Sequence, residues 1–367
     1  MNYFYQIRET LLKYTIAEKL LFLLSSLLIC SCNTEQSSWK VKDGILYGAR
    51  PDSTGPISGG SGYKNIITEG DYTVHSVDEL ITALDSAQSG DIVYIPGDVT
   101  LNLTARIYIE GLMLKIPEGV TLASNRGHKE SEGALLFSDA LDTPALIRAA
   151  GPDVRVTGLR IRGPNPRQYL EHHWRSFGED GKGRSFYYQF PTSRGIETDY
   201  KHLEVDNCEI SGFGHAAIYL NKGNAHHIHH NNIHHNQYHG LGYGVSLNRA
   251  QATIEYNRFN FNRHSIAGTG RPGCGYVARH NIVSPEASSH AFDMHGGKDR
   301  NDGTNIAGDS VKIYNNLLKT ETMAIKFRGV SQYESLIYNN WFKQHANQKS
   351  AISTFEENIS ILKNLYK

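Results

Sequence analysis

Apolar side chains are scarce in this chain, at 39% of 367 residues. With so few of them, and with Gly, Asn and Tyr common, a helical bundle is a poor expectation. Many short strands and turns suit the composition better. Surplus charge is absent as well, since 37 basic side chains balance 37 acidic ones. A nucleic-acid binder needs a clustered basic excess for its phosphate contacts, so that partner class is excluded. Proline is modest at 11 and cysteine rare at 4. What is abundant is glycine, at 35, and histidine, at 18. The length allows one large or two ordinary domains with a sizeable core.

The apolar run Leu20 to Cys30 follows Arg8, Lys13 and Lys19. It is shorter than the roughly 20 residues that cross a bilayer, and it suits the apolar stretch of a signal peptide. It ends in Ile29-Cys30-Ser31-Cys32, which resembles a bacterial lipoprotein cleavage box. That resemblance implies a signal peptide over 1–32 and a lipid on Cys32. Each buried methylene of such a lipid contributes about 0.8 kcal/mol to anchoring. The expectation is an exported monomer, an outer-membrane lipoprotein facing the periplasm or the cell surface, touching the membrane only through its lipid. Residues 33–62, rich in Ser, Gly and Pro, read as a tether.

From about residue 193 the chain repeats itself. Each repeat opens with a small residue followed by apolar-x-apolar: Gly195-Ile196-Glu197-Thr198, Ala217-Ile218-Tyr219-Leu220, Gly244-Val245-Ser246-Leu247 and Ser265-Ile266-Ala267-Gly268. Ala291-Phe292-Asp293-Met294 and Ala324-Ile325-Lys326-Phe327 continue the series. The spacings of 21 to 33 residues are too short for propeller blades, which need about 40. A second strand in each repeat ends in an Asn turn, as in Ile254-Glu255-Tyr256-Asn257 and Ile313-Tyr314-Asn315-Asn316. Asn tolerates left-handed φ and its amide can bond to backbone. Stacked, Asn231, Asn257, Asn315 and Asn339 are expected to form an amide ladder with His280 and Cys208 in the same column. Cys208 and Cys274 fall about three rungs, or roughly 14 Å, apart. A disulfide needs its Cα atoms within about 7 Å, so two free thiols are expected, with Cys208 buried.

These repeats resemble the right-handed parallel β-helix superfamily that includes pectate-lyase-like proteins, over roughly residues 63–367. The fold class expected is all-β, a single-stranded parallel solenoid with an N-terminal capping helix. Val77 to Ala87 carries Val77, Leu80, Ile81, Leu84 and Ala87 at helical spacing, which suits that cap. An insertion over 163–191 interrupts the coil and holds Trp174, Arg175, Tyr187 and Tyr188.

Side chains alternate across a strand, which assigns two outward columns. The first is Glu197, Tyr219, Ser246, Ala267, Asp293 and Lys326. The second is Asp199, Asn221, Asn248, Thr269, His295 and Arg328. A third column, Arg194, Ala216, Tyr243, His264, His290 and Met323, enters each strand at a corner, where the direction is open. Outward placement would set Tyr243, His264 and His290 around Asp293, His295, Lys326 and Arg328. The run His226-His227 through His234-His235 lies on the second strand, away from that patch; alternation aims His227 and His229 the same way, which leaves a surface metal open, and otherwise the run reads as exposed strand and turn residues.

Many exported proteins of the resembled superfamily act on polysaccharides, and lyases of uronate polymers match these residue types best. β-Elimination needs a base, an acid for the leaving oxygen and positive charge beside the carboxylate. Arg328, Lys326 or a divalent cation such as calcium, held by Asp293 and His295, would supply the charge. His290 or His264 would be the base, and Tyr243 or the other histidine the acid. Arg263, Asn248, Trp174 and Arg175 would bind an acidic polysaccharide or oligosaccharide. The motif pattern of calcium-dependent pectate lyases is missing. A glycoside hydrolase, drawing a second acid from Asp299 or Asp302, is the first alternative. A non-catalytic surface glycan-binding lipoprotein is the second.

Overall fold

The structure, a computed structural model, describes residues 37–165, 170–238, 240–355 and 357–367. The signal segment and Cys32 lie outside the described residues.

The apolar-x-apolar repeats stack in the expected register. Ile196 pairs with Ile218, Ile218 with Val245, Val245 with Ile266, Ile266 with Phe292, and Phe292 with Ile325. The column extends forward to Ile352 and back to Ile147 and Leu114. All pairings in the coil are parallel, and the chain winds through three strand faces as a right-handed parallel β-helix. The first face holds strands such as Arg194–Thr198, His264–Gly268, Phe292–Met294 and Ile325–Phe327. The second holds Arg155–Thr157, Glu204–Asp206, Gly275–Arg279 and Val311–Tyr314. The third holds Glu209–Ser211, Asn232–His234, Arg258–Asn260 and their successors. Two strands, Ala216–His229 and Tyr243–Glu255, run on through both the first and second faces.

Inward residues of every rung join one core, including Ile196, Ile218, Val245, Ile266, Phe292 and Ile325, none of them exposed. Burying each such side chain contributes about 1.5–3 kcal/mol. The small residue opening each repeat has a packing reason. A Cβ on Gly244 would stand 2.6 Å from Ser265 O and 3.1 Å from the Phe259 ring. The cap helix forms over Val77–Ser86, with Ser76 accepting from the Glu79 N–H at its start and Leu80, Ala83 and Leu84 buried. Both Cys208 and Cys274 are free and buried, as the rung count implies.

The Asn column needs a correction of one residue. The corner between second and third faces takes two residues with different jobs. The first is left-handed: Asn207, His230, Tyr256, His280, Asn315 and Asn339 have φ between 52° and 55°. The next residue makes the ladder. Nδ2 of Asn231 donates to Asn257 Oδ1 at 3.0 Å, Asn257 to Asn281 at 3.1 Å, and Asn281 to Asn316 at 3.0 Å. Asn316 then donates to Asn340, and Asn340 to Asn364. Cys208 heads the column, its N–H donating to Asn231 Oδ1. Asn315, Asn339 and His280 belong to the left-handed column instead.

Residues 39–62 do not form a tether. Trp39–Lys42 and Ile45–Gly48 make an antiparallel hairpin, and the segment after it lies along the left-handed corners. Ser58 N–H donates to Tyr256 O, Gly60 N–H to Asn207 Oδ1, and Tyr63 Oη to the buried Asp206. Ala49 and Ile57 pack on Ile282 and Leu317. The small residues that suggested a flexible linker are there for close approach. At Gly59, φ is 65° and a Cβ would stand 2.4 Å from Asn207 Oδ1 and 2.5 Å from His230 O.

Candidate functional site

The first face carries the expected patch. Register places Ala267, Asp293 and Lys326 side by side, all outward. The corner column also faces this side. Tyr243 stacks on His264 at 5.7 Å between ring centroids, and His264 on His290 at 5.4 Å. His264 donates Nδ1–H to His290 O at 2.6 Å and holds Nε2 at 3.6 Å from Asp293 Oδ2.

Asp293 is wholly buried and ionised. Arg328 grips it with two bonds, Nε to Oδ1 at 3.0 Å and Nη2 to Oδ2 at 2.7 Å. His295 Nε2 stands 3.0 Å from Oδ2. Burial raises the carboxyl, but His295, His264 and Arg328 together hold it well below its ordinary range. Arg328 also reaches Asp299 at 3.3 Å, so three of its five N–H donors are engaged within the protein. Asp299 in turn accepts from the Gly296 N–H, and Asp302 is taken up by Arg300 and Thr304.

The two histidines differ. His264 has no exposed surface, and burial pushes its imidazole well below the usual value, with Arg263 adding to the effect. It positions its neighbours and does not reach solvent. His290 is half-buried, and its imidazole is pushed down to about 4, first by burial and then by Lys326, Arg328 and Arg263, with Asp293 opposing. Tyr243 is buried, and burial raises its phenol. Arg263 lies beside Tyr243, with its guanidinium 6.0 Å from the ring. Its buried Nη1 has no hydrogen-bond partner among the described residues.

Upstream, the polar strip continues. Asn248 donates to Asn221 at 2.8 Å and accepts from the Thr269 hydroxyl at 2.7 Å; Asn221 bonds Asp199. Arg148 and Arg194 both pair with Glu197. One feature lacked a signal in the alternation pattern. Ala216, Tyr243 and Ala267, flanked by Tyr219 and Leu241, form a small apolar floor on the outer surface.

The insertion is two short helices, Leu170–Phe177 and Gly183–Tyr187. It reaches the patch through residues other than Trp174 and Arg175, the two expected to bind substrate. Tyr187 and Tyr188 lie within electrostatic reach of Tyr243, and His173 of Arg263. Trp174, 66% exposed, and Arg175, paired with Glu171 one turn back, show no contact with the patch among the described residues.

Calcium does not fit. It takes six to eight oxygen ligands, whereas Asp293 and His295 offer one carboxylate, already clasped by Arg328, and an imidazole. The donors that converge here are His264, His290 and Asp293, a nitrogen-rich set that calcium does not favour. The second histidine run is also less exposed than its sequence suggests, since His226, His229 and His230 are buried.

No family model matches the chain, and no curated protein matches it. Solved structures do. An alginate lyase from Paenibacillus sp. superposes with a TM-score of 0.55 at 13% identity, over 80% of this chain and 94% of that one. A family 28 exopolygalacturonase from Yersinia enterocolitica gives 0.48 at 13% identity, covering 82% and 64%. The A-module of a mannuronan C-5 epimerase from Azotobacter vinelandii gives 0.44 at 12% identity, covering 79% and 80%. Together with the stacked register, the lyase superposition makes the chain a right-handed parallel β-helix protein.

Proposed function

We propose that this protein is a polysaccharide lyase that cleaves a uronate-containing polymer by β-elimination along its first face. The observation that carries the reading is the placement of a neutral His290 among Arg263, Lys326 and a locked Asp293–Arg328 pair. His290, with its imidazole pushed down to about 4, is unprotonated near neutral pH and can take a proton. Lys326 stands on the adjoining rung, about 4.8 Å along the axis, where its ammonium can protonate the leaving oxygen. Arg263, half-buried beside Tyr243, is the cation placed to meet the substrate carboxylate. Tyr243 lies two rungs from His290, about 10 Å away, too far to share one linkage with it. It therefore belongs to the neighbouring sugar site, as part of the apolar floor.

The hydrolase alternative needs a carboxylic acid kept protonated. Asp293 is held in the opposite state, and Asp299 and Asp302 are tied into the adjoining loop. The alginate lyase with the same fold supports an acidic polymer as substrate. A lipid on Cys32 would put the enzyme outside the cytoplasm, where such polymers occur.

The test is a panel of uronate polymers, followed by ultraviolet absorbance of unsaturated ends and by new reducing ends. Both signals are expected, unaffected by chelator. His290→Ala and Lys326→Ala should each lower kcat by about 10²–10⁴-fold. Reducing ends without absorbance would make the protein a hydrolase. Binding without either signal would make it a glycan-binding protein, and full turnover in both variants would place the site elsewhere.

A further inference from the structure

The second face carries a separate constellation that the proposed reaction does not use. His227 and His229 alternate to the same side of their strand, with ring centroids 4.0 Å apart. Glu204 lies on the preceding rung in register with His227. One donor atom from each of the three comes within 4.8 Å of the others, and His229 Nε2 is 3.1 Å from Glu204 Oε1. Donors around a tetrahedral zinc stand about 3.3 Å apart, given bonds near 2.0–2.1 Å. His227 Nε2 is held 2.8 Å from Glu255 Oε1, so Nδ1 is the atom left to ligate an ion, and a small closing movement would complete the set because the His227 and Glu204 side chains are 42% and 39% exposed.

A hydrogen-bond chain stands behind His229. His230 Nε2 lies 3.3 Å from Asp52 Oδ1, and a carboxylate there can only accept. His230 Nδ1 is 2.9 Å from His229 Nδ1, so one of the two donates to the other. Where His229 Nδ1 is the donor, its Nε2 presents a lone pair towards Glu204 Oε1, the orientation that a metal ligand needs. The Asp52–His230–His229 chain is the outer support that commonly fixes the tautomer of a metal-bound histidine. Arg155, 3.6 Å from Glu204, directs its two short bonds to Asp206 and leaves the Glu204 oxygens available.

We propose that Glu204, His227 and His229 form a zinc-type transition-metal site, with water in the fourth position, clamping two rungs of the coil. Two imidazoles and one carboxylate suit zinc and disfavour calcium or magnesium, which prefer oxygen ligands. The ion would also bear on the segment after the N-terminal hairpin, because Asp52 belongs to it.

The test uses the full untagged chain, titrated with Zn²⁺ by calorimetry and with Co²⁺ by visible absorption. Zinc affinity should drop at least tenfold in His227→Ala and in His229→Ala, and should be unchanged in His290→Ala. Co²⁺ should give a tetrahedral-type spectrum in the parent chain and lose it in both strand variants. Circular dichroism checks folding, and the exposed His227 is the substitution that least disturbs it. Equal zinc affinity in the parent chain and the His227→Ala/His229→Ala double variant would overturn the site and leave a protonated His229–Glu204 pair. So would zinc binding that disappears only in His290→Ala.

Discussion

Asp293 has no exposed surface yet keeps its charge, because Arg328 bonds both of its oxygens. Removing one partner of a buried pair leaves the other uncompensated, which costs about 3–5 kcal/mol. Asp293→Asn should therefore lower the urea midpoint strongly as well as disturb activity. pH acts on the same chemistry. His215 is pushed down to about 3 by burial and Arg194, and His290 to about 4. Unfolded histidine takes a proton below 6.5, whereas these folded rings resist it, so stability falls as pH drops from 6.5 towards 4. Asp293 extends the fall, since its contribution is present above the ordinary value of 3.8 and is lost at lower pH. Urea midpoints measured across this range should decline with acid, less steeply in His215→Asn, which retains an acceptor for Arg194 and loses the titration.

At the scale of the strand and its corner, neighbouring positions have opposite needs. Asn281 is buried, and its Oδ1 accepts from both the backbone and the side chain of Asn257. Its own amide donates to Ile254 O and Asn316 Oδ1. Asn281→Ala leaves buried groups unsatisfied at about 1–3 kcal/mol each. His280, one residue earlier, only needs to adopt left-handed φ and stack on Tyr256. Asn281→Ala should cost clearly more in denaturant melts than His280→Ala. Sequence periodicity located the strands because an apolar-x-apolar repeat registers burial directly. It shifted part of the ladder by one residue because Asn suits both corner positions, and Asn315-Asn316 and Asn339-Asn340 occupy both at once.

At the scale of the whole molecule, the segment after the hairpin behaves as part of the coil. It covers Asp206, whose carboxylate accepts from Arg155, Thr157 and Tyr63, and it buries Ile57 and Ala49. A chain shortened to begin at Lys64 should unfold at lower urea than the parent, and a free tether would make no difference. Tyr63→Phe should cost about 1.5–3 kcal/mol, the loss of one hydrogen bond to a buried charge. The insertion likewise gains its role only in three dimensions. The insertion sets Tyr187, Tyr188 and His173 within electrostatic reach of Tyr243 and Arg263, while Trp174 faces solvent.

The sequence alone determined the solenoid, the register from Ile196 to Ile325, both outward columns and the free thiols. Each follows from a local rule, alternation along a strand or equal spacing between rungs, that long-range contacts do not alter. Tertiary structure decided which polar residues remain available for substrate. Arg328 and Asp293 neutralise each other, His264 is sealed beneath His290, and Arg263 stays half-exposed. It also decided that the Gly-rich stretch after the hairpin packs on the coil. Those outcomes depend on which groups meet across rungs and corners, and spacing along the chain carries no record of such pairings.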